Sequence, residues 1–319
     1  MPGALIVNAG ALRPSIHRWM VASTVTVMMA LSCPAAVAKA DPSAVPDPTS
    51  PALPDVTVEA QRATLEHRVQ NFVLAIAQNP EFHDESLVRW NKPICFLVTG
   101  FAAKRAKLVM ARLSAIAASA GAALDREGCQ PNFIVIWTPE PDRVLAAWSA
   151  RDGHIFGDAP TAQVRRFLGS SNTRPVRVWR NIDRGRVATM RFGHFIASNN
   201  HAEGSPFVWN GVLGFSSVFA IIDANRAGLV KEDQLADYVA MAGLTNTDLA
   251  ADIGAAPSIL RLFDAPGESP PSELSSWDLA FLKALYHSDQ NSRAQLVDIA
   301  NRVARDVLSL DPPEPAQIH

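Results

Sequence analysis

The stretch Ile94-Cys95-Phe96-Leu97-Val98 is a short unbroken apolar run, and Phe133-Ile134-Val135-Ile136-Trp137 repeats the pattern further along the chain. Both are rich in β-branched and aromatic residues and too short for a buried helix, so each reads as a buried strand. Between them Val109, Leu113, Ile116, Ala117 and Ala120 recur on one helical face, Lys104, Arg105 and Arg112 lie outward, and Gly121 is placed to stop the helix. Residues 93–138 therefore read as β-α-β, which makes two parallel strands through a right-handed crossover. The fold class expected is α/β, a mixed sheet flanked by helices. Cys95 falls in the first strand and Cys129 just before the second, so a disulfide would tie neighbouring strands.

Toward the N-terminus, Leu65, Val69, Phe72, Val73 and Ile76 form one face of an amphipathic helix that ends before Asn79-Pro80. Residues 41–56, rich in Pro, Asp and Ser, read as a flexible leader, with Val56 to Arg62 a short extended lead-in to that helix. Residues 1–40 have the layout of a secretory signal peptide. Arg13, His17 and Arg18 precede the apolar run Trp19 to Leu31, and small residues follow, with cleavage expected after Ala38 or Ala40. The apolar run is short for a membrane span. A periplasmic or secreted destination follows, with membrane contact only through the signal peptide before cleavage. An oxidising compartment favours pairing of Cys95 with Cys129.

The chain has 319 residues, 48% hydrophobic, 7% aromatic and 19% charged, which excludes disordered and disulfide-dense classes. Its 29 basic against 31 acidic residues give no reason to expect a nucleic-acid partner. Removing residues 1–40 takes Arg13, Arg18 and Lys39 and no acidic residue, leaving a more acidic mature protein. Residues 57–311 are expected to form a single α/β domain, with an N-terminal β-α-β subregion at 57–160, a second subregion at 161–311, and 312–319 as a tail.

Pro139 to Ser149 reads as a helix. Residues 165–191 carry eight arginines opposed only by Asp183. Val176 and Val178 alternate with Arg177 and Trp179, the pattern of a strand or hairpin with one solvated face. Arg174, Arg177 and Arg180 are thus candidates for a surface that holds an anionic partner, while a charged edge strand that resists aggregation is the plainer reading.

Val218-Phe219-Ala220-Ile221-Ile222-Asp223 is a third apolar strand, followed by a turn at 224–228 and a helix from about Lys231 to Ala242 that stops at Gly243. Ser258-Ile259-Leu260 comes next. In Leu274-Ser275-Ser276-Trp277-Asp278-Leu279, Ser275 is the expected N-cap with Asp278 at N3, and Leu274 and Leu279 form a hydrophobic staple. A C-terminal helix sets Leu296, Ile299, Ala300, Val303, Val307 and Leu310 on one side and ends before Pro312-Pro313.

The order of parts over residues 216–287 resembles the zincin-like metallopeptidases, metzincin-type in arrangement. There a strand precedes a helix reading H-E-x-x-H-x-x-G, then a turn near S-I-M, then a helix opening L-S-x-x-D and ending L-Y. Aligning Gly243 with the family glycine implies metal ligands at Ala236, Ala240 and Asn246 and the glutamate base at Asp237. Family chemistry needs two imidazoles at i and i+4 on one helical face and a carboxylate to activate the metal-bound water. Alanine has no donor atom. The resemblance thus implies a zincin-like second half without its zinc site, no cofactor, and a non-catalytic exported binding protein whose partner is a peptide or envelope protein.

Two alternatives stand beside this. Ala236, Ala240 and Gly243 also suit a small-residue face for close packing in an ordinary core helix. A displaced site of an active hydrolase would use His194, His201, Glu203 and Asp237, with His287 a further candidate ligand. No G-x-S-x-G, Walker A or G-x-G-x-x-G occurs in the sequence.

Overall fold

The computed structural model describes residues 54–77, 87–151, 153–157, 159–169, 174–183, 187–191, 194–198, 213–264, 269–290 and 294–310, and of 54–58, 151, 153–154, 187–191 and 194–198 it describes only the backbone. In chain order the elements are α1 (Pro54–Ala77), β1 (Phe96–Thr99), α2 (Ala103–Ala120), β2 (Phe133–Thr138), α3 (Pro141–Arg151), α4 (Thr161–Gly169), β3 (Val176–Asp183), β4 (Val187–Arg191), β5 (His194–Ser198), β6 (Gly214–Asp223), α5 (Ala224–Ala227), α6 (Glu232–Leu244), α7 (Ser276–Tyr286) and α8 (Gln295–Leu310), with 3-10 turns at Gly153–Phe156 and Ile259–Phe263.

Four strands form one mixed sheet in the order β1-β2-β6-β3, while β4 and β5 pair as a separate antiparallel hairpin. β1, β2 and β6 run parallel, with Phe96 opposite Phe133 and Phe133 opposite Val218, and β3 lies antiparallel on the outer side of β6. The β-α-β unit read from 93–138 is therefore present. Both faces of the sheet are covered, which is why β6 is apolar on both sides. Val218, Ala220 and Ile222 join the main core with α1, α2, α6, α7 and α8, whereas Phe219 and Ile221 join a smaller core with Trp179 and Leu145.

α2 buries Val109, Leu113, Ile116, Ala117 and Ala120, the face its periodicity predicts. It stops at Gly121, whose φ of 96° is left-handed backbone that glycine adopts without steric cost. The Cys95–Cys129 disulfide closes this unit, with Cα atoms 6.0 Å apart.

Two boundaries and one strand face differ from expectation. α1 begins at Pro54, so Val56 to Arg62 is helical and not an extended lead-in. α6 does not stop at Gly243 but runs on to Leu244, with Thr245 in extended backbone as its C-cap. β3 has no solvated face: Val176, Arg177 and Trp179 are all buried, because α6 covers one side of the strand and the smaller core the other. Among the described residues no helix is long and apolar enough to cross a membrane.

Candidate functional site

The positions singled out by the H-E-x-x-H comparison lie on α6, which is buried without interruption from Leu235 to Leu244. A helix that is apolar all round belongs inside a core, and its termini must find partners there for backbone groups that water would otherwise satisfy. At the C-terminal end each of the last four carbonyls has its own side-chain donor. Thr245 Oγ1 donates to the carbonyl of Met241 (2.7 Å), Arg180 Nε to Ala242 (2.9 Å), Trp90 Nε1 to Gly243 (3.0 Å) and the Tyr286 hydroxyl to Leu244 (3.0 Å). The Arg180 cation also complements the negative end of the helix dipole. Three of these donors come from β3, from the segment before β1 and from α7, so α6 is held by the surrounding fold.

Ala236 and Ala240 are fully buried in the main core. Gly243 is a packing requirement: a Cβ placed there would lie 2.1 Å from Cζ of Phe133 on β2. The small residues therefore line close contacts, and the Ala236/Ala240 face is packed shut. Asn246, at the third aligned ligand position, is buried too, and its Oδ1 accepts from the backbone N–H of Val88 at 2.9 Å.

Asp237 has no exposure, and its carboxylate is engaged on both oxygens. Arg112 of α2 reaches it with a two-pronged guanidinium, Nε to Oδ1 at 2.6 Å and Nη2 to Oδ2 at 2.8 Å, and the N–H of Leu274 donates to Oδ2 at 2.7 Å. Bidentate charge-assisted bonds of this kind are the strong ones. Arg112 is thus turned toward α6 and not simply outward. Nearby, Gln234 Nε2 donates to the carbonyl of Pro271 at 2.7 Å, so the segment before α7 is strapped to α6 at two points. Three internal donors thus occupy most of the roughly four acceptor positions of this fully buried carboxylate.

Asp278 organises a second buried network. Ser275 caps α7, accepting from the Asp278 N–H at 3.0 Å, while Asp278 Oδ2 accepts from the Ser275 N–H at 3.0 Å and its hydroxyl at 2.9 Å. The same carboxyl crosses to the preceding turn, accepting from Ser258 Oγ (2.6 Å) and the Ile259 N–H (2.8 Å). Burial pushes the Asp278 carboxyl up, against the opposing pull of these donors. The turn Pro257-Ser258-Ile259-Leu260 and the helix opening at Leu274-Ser275 are thus bonded to each other through one side chain.

The candidate arginines, Arg174 just before β3 and Arg177 and Arg180 within it, each contact carbonyl or carboxylate groups of other elements. Arg174 donates to the carbonyl of Leu260 (2.8 Å) and to Asp264 (3.0 Å), Arg177 is 7% exposed and pairs with Asp142 (2.7 Å), and Arg180 serves α6. Their partners are the internal carbonyls of Leu260 and Ala242 and the more exposed carboxylates of Asp264 and Asp142. Of the displaced-site residues, Asp237 and His287 alone have described side chains, so the grouping as a whole lies outside the described residues. His201 and Glu203 lie outside them, His194 opens β5 with no described side chain, and exposed His287 sits at the end of α7 with Nδ1 2.8 Å from the Lys283 carbonyl. No group of three His, Cys, Asp or Glu side chains that could hold a metal occurs among the described residues.

Sequence reasoning missed Trp90, Arg89 and Gln295. Arg89 donates to the carbonyl of Leu285 at 2.6 Å, and buried Gln295 accepts from the Leu87 N–H at 2.9 Å, both bridging distant parts of the chain. Buried polar side chains of this type carry no local pattern, since their partners are backbone groups far away in sequence. Comparison with known proteins adds no identity: no family model, no curated protein and no solved structure matches this chain.

Proposed function

We propose that the chain is an exported, non-catalytic binding protein on a zincin-like scaffold that has lost its metal site. The observation that carries this reading is the state of the aligned positions: Ala236 and Ala240 offer no donor atom and are buried, and the Asp237 carboxylate is occupied by Arg112 and Leu274. Three further features support the scaffold. Helix α6 follows the central parallel strand β6, an antiparallel edge strand β3 flanks that strand, and the Ser258 turn is bonded to the start of α7 through Asp278. The Cys95–Cys129 disulfide and the basic, apolar and small-residue blocks of residues 13–40 support export.

The ligand class that suits an edge strand is an extended peptide or a strand of an envelope protein, bound through main-chain hydrogen bonds. Metal analysis of the purified mature protein, together with incubation with unfolded protein substrates, tests the reading. Substoichiometric zinc and no cleavage are expected. Stoichiometric, tightly held zinc or metal-dependent proteolysis overturns it.

A further inference from the structure

β1 is an outer strand of its sheet, and its free side is only partly used. The segment 123–125 runs beside Ile94, whose N–H donates to the Ala123 carbonyl and whose carbonyl accepts from the Asp125 N–H, both at 2.9 Å. Backbone groups alternate sides along a strand, and the Cys95 carbonyl accepts from the Phe133 N–H of β2, so Phe96 and Val98 direct their N–H and C=O outward, as Ile94 does. Among the described residues no backbone group pairs with them there. An edge left open in this way is a template for another strand, and no charge, proline or bulge interrupts Phe96 to Thr99.

The flank of α2 above this edge is equally uncovered. Arg105 and Arg112 reach from α2 to Glu232 and Asp237 of α6, which packs over β6 and β3. At about 3.6 residues per turn the opposite flank, overhanging the free edge, carries Ala103, Lys107, Met110, Ser114 and Ala118, all exposed except half-buried Ser114. Of the eight large apolar side chains exposed among the described residues, Leu97 (41%), Met110 (40%) and Leu124 (40%) lie on this one side.

We infer that the chain forms a symmetric dimer through β1 and α2, which joins two four-stranded sheets into one. Both surfaces are self-complementary about a single axis. The ends of α2 are tied to the ends of 94–101 by the turn at 100–102 and by the pairing of Ile94 with Ala123 and Asp125. A helix of 18 residues and the extended stretch 94–101 span about 27 Å and about 23 Å, so their midpoints coincide and Met110 is level with Leu97 to within a turn. A two-fold axis through Leu97 sets β1 antiparallel to its copy, with Phe96 opposite Val98 of the partner subunit and Val98 opposite Phe96 of the partner subunit. Each of these pairs exchanges two main-chain hydrogen bonds, and the two Leu97 side chains meet between them. The same axis brings the two Met110 side chains together, with Ala103 and Ala118 small enough to let the helices approach.

The size fits a stable contact. A strip about 27 Å long and roughly 20 Å deep, through one helix layer and one sheet layer, approaches the ~800 Å² per partner of a standard interface once surface relief is counted. A foreign peptide would satisfy the strand edge and leave the α2 flank uncovered, which favours a second copy. α2 carries no acidic residue, so main-chain pairing and apolar contact hold the dimer and charge attraction does not. The inference does not rest on the metal-free reading of α6, and it leaves β3, the other edge of the sheet, to the ligand proposed above.

Sedimentation equilibrium of the mature protein over a concentration series is expected to show monomer and dimer, with no weakening by added salt. Leu97→Lys and Met110→Lys each replace an exposed side chain, and unchanged circular dichroism verifies folding. Each is expected to raise the dissociation constant at least tenfold, whereas Val297→Lys at an exposed position of α8 is not. Deuterium exchange at the amides of Phe96 and Val98 is expected to slow as concentration rises. A single monomeric species at the highest soluble concentration, or a dimer that tolerates both β1 and α2 variants, overturns the proposal. Fast exchange at Phe96 and Val98 within the dimer overturns it as well.

Discussion

The guanidinium of Arg112 clasps the carboxylate of Asp237 through two bonds of 2.6 and 2.8 Å, joining a side chain that is 36% exposed to one with no exposure. The two ends of this pair are therefore unequal. Arg112→Ala leaves a buried charge without its counterion and is expected to cost roughly 3–5 kcal/mol. Asp237→Ala frees Arg112 to reach water and orphans mainly the Leu274 N–H, for about 1–3 kcal/mol. Urea denaturation of the two variants checks the order, and equal losses would contradict it.

The Ala236/Ala240 face has no room for imidazoles. The double variant Ala236→His/Ala240→His overfills the core and is expected to lose several kcal/mol, more than the roughly 1–3 kcal/mol of a single overpacking change. It gains no zinc affinity, so the melting temperature should not move on adding zinc or a chelator. A zinc-dependent rise would show an accessible ligand geometry instead.

Gly243 and Phe133 should behave as one unit. Gly243→Ala forces a methyl into the ring of Phe133 and is expected to cost about 1–3 kcal/mol or more. Phe133→Leu in the same chain should recover part of that loss, since neighbouring sites couple. A double-mutant cycle that proves additive would place the strain elsewhere.

Asp278 gives a pH signature. Its carboxyl is pushed up by burial, so the native state keeps the proton to higher pH than the unfolded chain does. Stability from this group is therefore full below the unfolded value near about 4 and falls as pH rises through the raised native value. Asp278→Asn mimics the protonated form, because its amide can donate to Ser258 Oγ while its oxygen keeps the Ile259 and Ser275 donors. That variant should cost no more than about 1 kcal/mol and flatten the slope, whereas Asp278→Ala leaves two backbone N–H groups without their acceptor and should cost about 3 kcal/mol or more. Melting curves across pH 3–7 distinguish the two.

Breaking the disulfide should matter through the unfolded chain. Cys95→Ala/Cys129→Ala reopens a loop with a sequence separation of 34, for an expected loss of about 3–4 kcal/mol. Denaturant titration with and without reductant on the parent protein should give the same difference.

What was legible in the sequence was what repeats locally. The apolar runs at 96–98 and 133–137 fell into register as neighbouring strands, and the five inward residues of α2 followed from spacing alone. The Ser275/Asp278 cap was visible because both partners lie within one turn. The second half of Asp278's role was not, since Ser258 lies 20 residues away. The partners of the β3 arginines were hidden for the same reason. Spacing places Arg177 and Arg180 on opposite faces of a strand, but only the assembled fold shows that Asp142 waits on one side and the Ala242 carbonyl on the other. Helix α4 escaped notice because its amphipathic stripe of Val164, Phe167 and Leu168 is embedded in an arginine-rich stretch.

The ring closed by Cys95 and Cys129 encloses all of β1 and α2. A protease that nicks the exposed loop between α2 and β2 on the N-terminal side of Cys129 therefore releases no fragment. The cut ends stay tethered within reach of each other, and a nicked molecule keeps its original mass on a non-reducing gel while separating into two pieces once thiol is added.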